Sequence, residues 1–392
     1  MHALERWGQR VFKEFEMDRR IVHDEDVNAH HGRDYRGNEV RARRAGKPYF
    51  LIEDNPYIVA SLSPRLRSSS GPGAGAKPRV LLVDDHRGLL DRVSSLLSDD
   101  FEVAGLFTNG RQAIEAAPAL ALDIIVLDIN MPGLNGFETM HALEQAGSRA
   151  PVVFLTLIDS EDYVAEAFRR GARGYVLKHQ LVHDLVSALN QVLHGRHFVP
   201  SLTSMYRLAE GRGSAHATQL YGDVPPFING VSAFLDIALR RGDATVIVAT
   251  EDVREPLRAR LGLRGWNVGG PSGLARCLVV DANEALNRFM RDSHPDLDRL
   301  AEIIEALDVF RRAEADNEGS RLTVFGDMAA PLLAGGNTAA TVAIEKQWDR
   351  LTKDLPAFTL CAYATSHLHD SSDERWSSVC AEHWAVSHAS NL

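Results

Sequence analysis

The sequence predicts an α/β protein: a five-stranded, doubly wound parallel sheet, then a second α/β unit whose sheet is also mainly parallel. Three observations carry this reading. Apolar runs of strand length alternate with helical stretches in two successive blocks, and a Ser-, Gly- and Pro-rich segment, SPRLRSSSGPGAGAKP, sets off the first block. The runs are apolar at nearly every position, as in strands covered on both faces. Two of them end in carboxylates, Asp84-Asp85 closing RVLLVDD and Asp128 closing LDIIVLD.

In the first block the spacing predicts strands at 79–84, 101–107, 123–128, 151–156 and 173–177. Helices are expected near 87–98, 110–118, 135–146, 160–170 and 181–194. Ligands of an open α/β sheet bind outside the carboxyl ends of its strands, near the point where strand order reverses. Asp84, Asp85 and Asp128 are therefore expected in one crevice. Three gathered carboxylates repel one another unless a cation neutralises them, and hard oxygen ligands suit Mg²⁺.

Further markers follow each strand. Asn130-Met131-Pro132-Gly133 and Gly136 come after the third, Thr156 closes the fourth, and Tyr175 and Lys178 mark the fifth. From about 78 to 200, in residue type and in spacing, the chain resembles the receiver domain of two-component response regulators, a flavodoxin-like fold. The resemblance implies that Asp128 is the phosphoacceptor. It implies that Asp84, Asp85 and Asp128, with the backbone carbonyl of Asn130, hold Mg²⁺ directly or through water. Lys178 would stabilise the developing charge. Thr156 would hydrogen-bond the phosphoryl group and draw its loop inward, and Tyr175 would follow into the space vacated. Taken singly, Lys178 reads as a surface lysine paired with a carboxylate and Tyr175 as a half-buried aromatic; the constellation is what points to phosphoryl chemistry.

Two residues depart from the common receiver pattern. His179 follows Lys178 where many receivers have proline, as in the nitrate-responsive subgroup. Leu157 and Ile158 follow Thr156 where a small residue is frequent. Their bulk beside the phosphoryl group leads us to expect slow formation and a long lifetime.

Composition frames these readings. A chain of 392 residues has room for two or three domains, and 45% hydrophobic with 24% charged residues is ordinary for a globular protein. A net charge of −10 without a basic stripe argues against direct DNA binding. Cys277, Cys361 and Cys380 show no CxxC spacing, the N-terminus has no apolar signal segment, and the apolar runs fall well short of the roughly 18 residues that span a bilayer. Reduced thiols, a cytoplasmic location and no membrane anchor are the expectation.

The expected organisation is an N-terminal segment (1–62), partly helical or disordered, and a flexible linker (63–78). The receiver (79–200) and a second linker (201–213) precede a sensory unit (214–370) and a tail (371–392). In the first segment ERWGQRVFKEF places Trp7, Val11, Phe12 and Phe15 at helical spacing, and YFLIEDNPYIV with Glu53-Asp54 echoes the opening of a receiver. His23, His30 and His31 with Asp24 and Asp26 read as a solvated segment rather than a metal site. HGRHFVPS (194–201) resembles the exit that leads to a DNA-reading helix-turn-helix in nitrate-type regulators, but a second α/β unit follows.

That unit has a long amphipathic helix (226–241) stopped at Arg241-Gly242. Strand-like runs follow at 245–250, 277–282, 321–327 and 358–363, with helical segments around 251–262, 284–291, 296–315 and 338–354. His216 with Tyr221, Phe234-Leu235 before Arg241-Gly242-Asp243, Val324-Phe325-Gly326-Asp327-Met328, Glu345 with Trp348, and Leu360-Cys361-Ala362-Tyr363 give a resemblance over 214–370. They resemble the MEDS domain, the sensory module of dichloromethane-responsive regulators, with a RecA- or KaiC-like sheet. Asp327 stands where family members commonly show Glu. The resemblance implies sensing of a small organic molecule, with His216, Tyr221, Asp327, Trp348 and Tyr363 as pocket candidates. The plainer reading makes Phe325, Met328, Trp348 and Tyr363 core residues and His216 a satisfied or capping histidine.

No GxxxxGK[ST] occurs, and neither GGPSGLAR nor AGGNTAAT places a lysine after its glycines, so nucleotide hydrolysis is not expected. Cys380, His383 and His388, with His367 and His369 before them, lack a strand-framed ligand set. Terminal disorder is expected there rather than Zn²⁺. The sequence thus describes a cytoplasmic response regulator, not an enzyme beyond slow self-catalysed phosphorylation and dephosphorylation. It would be phosphorylated on Asp128 by a sensor histidine kinase or phosphotransfer protein and would signal through a non-DNA-binding C-terminal unit. The alternative is a small-molecule sensor whose receiver serves as a docking or dimerisation module. A downstream signalling protein, a small organic ligand and a second copy of the chain are the remaining partner readings.

Overall fold

The apolar runs of the first block form parallel strands, four of them buried almost throughout because covering helices meet both faces, and the one at the edge of the sheet half-buried. The computed structural model describes residues 76–268, 276–291, 293–315, 319–367 and 374–389. All of them lie in one compact unit, Tyr57–Leu392. In chain order the first half comprises β1 (Arg79–Val83), α1 (Arg87–Leu97), β2 (Glu102–Phe107), α2 (Gly110–Ala116), β3 (Ile124–Leu127), α3 (Gly136–Gln145), β4 (Val152–Thr156), α4 (Glu161–Arg169), β5 (Gly174–Leu177) and α5 (Leu181–Leu193). Short polar side chains start the helices beside the acidic crevice. His86 Nδ1 accepts the Leu89 N–H at 3.1 Å, and Asn135 forms a capping box with Glu138 at 2.9 and 3.0 Å.

A two-residue strand β6 (His197–Phe198) and helix α6 (Leu202–Leu208) follow. The second half is β7 (Ser214–Tyr221), α7 (Val224–Arg240), β8 (Ala244–Ala249), α8 (Glu251–Leu263), β9 (Cys277–Asp281) and α9 (Ala282–Phe289). A small hairpin, β10 (Met290–Arg291) with β11 (His294–Pro295), leads to α10 (Leu297–Glu314), β12 (Leu322–Gly326), α11 (Ala330–Ala334), α12 (Thr338–Thr352), β13 (Ala357–Ala364), α13 (Glu374–Cys380) and β14 (Ala385–Ala389). Gly242, at φ +82°, ends α7 as the sequence leads one to expect.

Twelve strands make one sheet in the order β2-β1-β3-β4-β5-β6-β14-β7-β13-β12-β8-β9, parallel throughout. The order 2-1-3-4-5 of its first part puts the switch point between β1 and β3, the two strands that end in aspartates. The two blocks therefore do not form separate sheets. The C-terminal strand β14 slots between them, with His197 N–H donating to Trp384 O at 3.1 Å, Val199 N–H to Val386 O at 3.0 Å and Trp384 N–H to His216 O at 2.8 Å.

Two expectations are corrected here. The stretch read as a linker, 201–213, contains α6, whose Met205 and Tyr206 are fully buried in the core of the second half. The stretch read as a disordered tail contains α13 and β14, with Cys380, Ala385 and Val386 at 0% exposure. The segment opening with His216 is a strand, β7. The readings of residues 1–62, of most of the linker before the receiver, of GGPSG within 269–275 and of His369 lie outside the described residues.

Candidate functional site

The carboxyl ends of β1 and β3 bring the three aspartates together. One carboxylate oxygen from each of Asp84, Asp85 and Asp128 lies within 4.8 Å of the others, Asp84 and Asp128 buried and Asp85 exposed. Lys178, at the end of β5, reaches both buried members, 2.7 Å from Asp84 Oδ2 and 2.8 Å from Asp128 Oδ2. Asp84 Oδ1 accepts the His86 N–H at 2.9 Å. Asp128 Oδ1 is buried without a hydrogen-bond donor.

The electrostatics of the pair are uneven. Burial raises the pKa of Asp128, and the charge of Asp84 adds to that, so the opposing hydrogen bond and charge of Lys178 do not bring it back to the ordinary range. Burial works against the Lys178 ammonium too, yet its two carboxylate partners hold its pKa above the usual lysine value. A single ammonium is shared between two buried carboxylates. An oxygen-rich cluster with a donorless buried oxygen, Asp128 Oδ1, fits a small hard cation such as Mg²⁺.

The loop that carries Asp128 is shaped by a glycine. Gly136 opens α3 so close to it that a Cβ there would lie 2.3 Å from the Asp128 carbonyl oxygen and 2.7 Å from Ile129 Cα. The same approach lets Gly136 N–H donate to Ile129 O at 2.8 Å. Asn130, two residues beyond Asp128, is exposed, and its nearby backbone N–H favours the ionised Asp128 carboxyl.

Thr156 and Tyr175 meet at one backbone unit. Thr156 Oγ1 accepts the Ile158 N–H at 3.3 Å, and the Tyr175 hydroxyl donates to the Ile158 carbonyl at 2.6 Å. Tyr175 is already fully buried, and burial with nearby Asp159 and Asp128 raises its pKa strongly. In this structure Tyr175 already occupies the inward position. Leu157 is 71% exposed, while Ile158 packs against the core on the α3 and α4 side.

The five pocket candidates of the second half do not form one pocket. The β7 and β13 register puts His216, Thr359, Cys361 and Tyr363 on one face of the sheet and Tyr221 on the other. Tyr221 stacks on Phe227 at 3.8 Å between ring centroids. Asp327, at the end of β12, accepts the Thr250 N–H at 2.8 Å and the Thr250 hydroxyl at 2.5 Å. Trp348 is a core residue that donates to Thr359 Oγ1 at 2.9 Å. His216 and Tyr363 do converge, on the buried carboxylate of Glu345. Two partners there were not among the candidates: Cys361, whose thiol donates to Glu345 Oε2 at 3.3 Å, and His383, whose Nε2 lies 3.6 Å from the same oxygen. The alternation of Cys361 and Tyr363 along one strand is a readable signal for the first; nothing local marks the second.

The halves are also joined by side chains. Glu161 of α4 pairs with Arg207 of α6 at 3.0 Å, and Phe168 of α4 packs against the core of the second half. His388 of β14 meets Asp184 and Ser187 of α5 at 3.3 and 3.2 Å. Behind α6, buried Asp243 accepts the Tyr206 hydroxyl at 2.5 Å, the Thr323 hydroxyl at 2.6 Å and the Arg321 N–H at 3.2 Å. Arg321 in turn donates to the carbonyls of Tyr206 and Ala209, each at 3.0 Å.

A parallel sheet with an acidic triad at its switch point, a lysine bridging two of the acids and a threonine and tyrosine behind them defines a receiver, and comparison with known proteins agrees. The response regulator receiver domain family matches residues 80–190, and the MEDS family (MEthanogen/methylotroph, DcmR Sensory domain) matches residues 215–378. The chain carries a two-component receiver domain followed by a MEDS domain.

Residues of the receiver are 42% identical over 118 positions to the nitrate/nitrite response regulator protein NarL of Escherichia coli K12, covering 30% of this chain and 55% of that protein. The transcriptional regulatory protein MctR of Rhizobium johnstonii is 34% identical over 121 residues, 30% of this chain and 56% of that protein. The chain thus spans about half the length of the curated relatives it matches. Among solved structures, a LuxR-family two-component response regulator from Aurantimonas sp. SI85-9A1 is 27% identical and covers 31% of this chain and 89% of that one, with a TM-score of 0.30. The response regulator domain of Thermotoga maritima CheB is 26% identical over 30% of this chain and 96% of that one, with a TM-score of 0.29.

Proposed function

We propose that this protein is a response regulator phosphorylated on Asp128 by a sensor histidine kinase or phosphotransfer protein, with the MEDS domain as a non-DNA-binding output. The observation that carries the reading is the bridged triad: Lys178 within 2.8 Å of two buried aspartates while Asp128 Oδ1 has no donor. That oxygen attacks phosphorus in the donor's phosphohistidine. A P–O bond forms, the P–N bond breaks, and the imidazole leaves, taking a proton from solvent. Asp84, Asp85 and Asp128, with the backbone carbonyl of Asn130, would hold Mg²⁺, which when bound supplies neutralisation of charge on the transferring group. Lys178 adds a second positive charge on the opposite carboxylate oxygen. Nothing in this chemistry calls for a metabolic substrate, and no described helix is long and apolar enough to cross a membrane. A cytoplasmic setting suits a kinase-fed receiver.

The Thr156 hydroxyl can accept from Ile158 N–H and donate to a phosphoryl oxygen at once. A phosphoryl group on Asp128 therefore draws on Thr156, and through it on the Ile158 loop that Tyr175 also grips. That loop leads directly into α4, whose Glu161 and Phe168 engage α6 and the second core. New charge at Asp128 thus biases the contact between receiver and MEDS domain.

The test is the intact mass of wild type and Asp128→Asn after incubation with Mg²⁺ and phosphoramidate. One phosphoryl adduct on wild type and none on the variant is expected. Absence of an adduct on wild type, even with Leu157→Ala opening the site, would sink the reading.

A further inference from the structure

We propose that His216, Glu345, Cys361 and His383 form a structural Zn²⁺ site in the second half, separate from the aspartate triad and independent of receiver chemistry. One atom from each lies within 4.8 Å of all the others. His216 Nε2 is 3.1 Å from Glu345 Oε2 and 3.3 Å from Cys361 Sγ; Cys361 Sγ and His383 Nε2 are 3.3 and 3.6 Å from Glu345 Oε2. Tetrahedral Zn²⁺ with ligand bonds of about 2.0–2.3 Å sets its ligands roughly 3.3–3.7 Å apart. Four of the six pairs, at 3.1–3.6 Å, are already at nearly that spacing, and the other two lie within 4.8 Å.

The donor set is right for this ion. Two imidazoles, a thiol and a carboxylate suit borderline-soft Zn²⁺ and not Mg²⁺ or Ca²⁺. The frame is stiff: His216 on β7 and Cys361 on β13 share a sheet face, Glu345 descends from α12, and His383 enters just before β14 on the other side of β7.

Hydrogen bonding alone does not account for the cluster. Glu345 is satisfied by His216, by the Cys361 thiol and by the Tyr363 hydroxyl. His383 is 3% exposed, and its Nδ1 lies 2.8 Å from the Val379 carbonyl, so Nδ1 carries the donated proton and Nε2 presents a lone pair. That lone pair has no hydrogen-bond donor and faces a carboxylate oxygen in a buried site. Two facing acceptors repel unless a proton or a metal cation lies between them. The bond from Nδ1 to a backbone carbonyl is also the usual way a histidine ligand is oriented. Because Trp384, the next residue, donates to His216 O, an ion here would pin the strand that joins the two halves of the sheet.

The experiment uses the full chain, purified with reductant and dialysed, with bound metal counted by inductively coupled plasma mass spectrometry. The result expected is about one zinc per chain. Cys361→Ser and His383→Gln should lose it, while Cys380→Ser and Asp128→Asn keep it. After chelation, Co²⁺ added to wild type should give the visible bands of a tetrahedral ion and a thiolate charge-transfer band that is absent in Cys361→Ser. If Cys361→Ser or His383→Gln misfolds, wild type alone decides: Zn²⁺ added after chelation should slow Cys361 alkylation and amide exchange across 376–389. Wild type that takes up neither zinc nor tetrahedral cobalt overturns the proposal in favour of a protonated His383 bonded to Glu345. Zinc retained in both ligand variants overturns it as well.

Discussion

Gly136→Ala should damage the acidic site through one methyl group. An ordinary contact of 3.4 Å exceeds the 2.3 Å left between a new Cβ and the Asp128 carbonyl oxygen by 1.1 Å, and the neighbours are backbone atoms that cannot rotate away. Forcing α3 off the loop costs about 1–3 kcal/mol as overpacking, and losing the Gly136 to Ile129 bond about 1 kcal/mol more. Alanine returns up to about 1 kcal/mol of helix propensity. The net is roughly 2 kcal/mol, a fall of about 0.5–1 M in urea midpoint. The atoms displaced belong to Asp128, the proposed phosphoacceptor, and a shift near 1 Å at a reacting group costs on the order of 10²-fold in rate. Urea unfolding with phosphoramidate labelling followed by mass measures both. A folded Gly136→Ala protein labelled at the wild-type rate would refute the positional argument, and an unchanged midpoint would refute the steric one.

Two further substitutions separate surface from core. Leu157→Ala removes a side chain that is 71% exposed, so stability should stay within about 0.5 kcal/mol while the phosphoryl group on Asp128 is lost several-fold faster; equal lifetimes in a dephosphorylation time course would dispose of the shielding idea. Asp243→Ala leaves the hydroxyls of Tyr206 and Thr323 and the charge of Arg321 without their buried acceptor, and should cost about 3–5 kcal/mol in denaturant unfolding. Tyr206→Phe should cost only about 1–2 kcal/mol, and a reversed ranking would show that the carboxylate is not the centre of that network.

The receiver half was legible because its signals are local. Continuous apolar runs mark doubly covered strands, and Asp84, Asp85 and Asp128 sit where a parallel sheet must present them. Asn135 with Glu138 announces the start of α3. The MEDS half was legible in its strands but not in its site. His216 and Tyr221 are five residues apart on one strand, so they face opposite sides of the sheet, and strand parity alone would have separated them. By the same parity Cys361 and Tyr363 belong with His216. The last partner, His383, and strand β14 were out of reach. AVSHA is five residues long, two apolar residues followed by two polar ones and an alanine, and its ladder partners lie near 197 and 217, far back in the chain. Backbone hydrogen bonds between distant segments leave no residue pattern behind.

The shared sheet also limits how a signal can travel. Parting the halves at β6 would break the ladder bonds of His197 and Val199. It would strip Asp184 and Ser187 from His388, Gln191 from Cys380 and the aromatic contacts of His197 with Trp384. At about 1 kcal/mol net for each hydrogen bond, with the aromatic contact added, the total comes to roughly 5 kcal/mol or more. Coupling free energies between sites are typically about 1–3 kcal/mol. A phosphoryl group on Asp128 is therefore too weak a lever to pull the halves apart, yet strong enough to shift α4 against α6, where the Glu161 to Arg207 pair is partly exposed and easily re-formed. On the proposed function, the change that reaches the MEDS domain is then a repacking of α6 over Tyr206, Asp243 and Arg321 within an intact sheet.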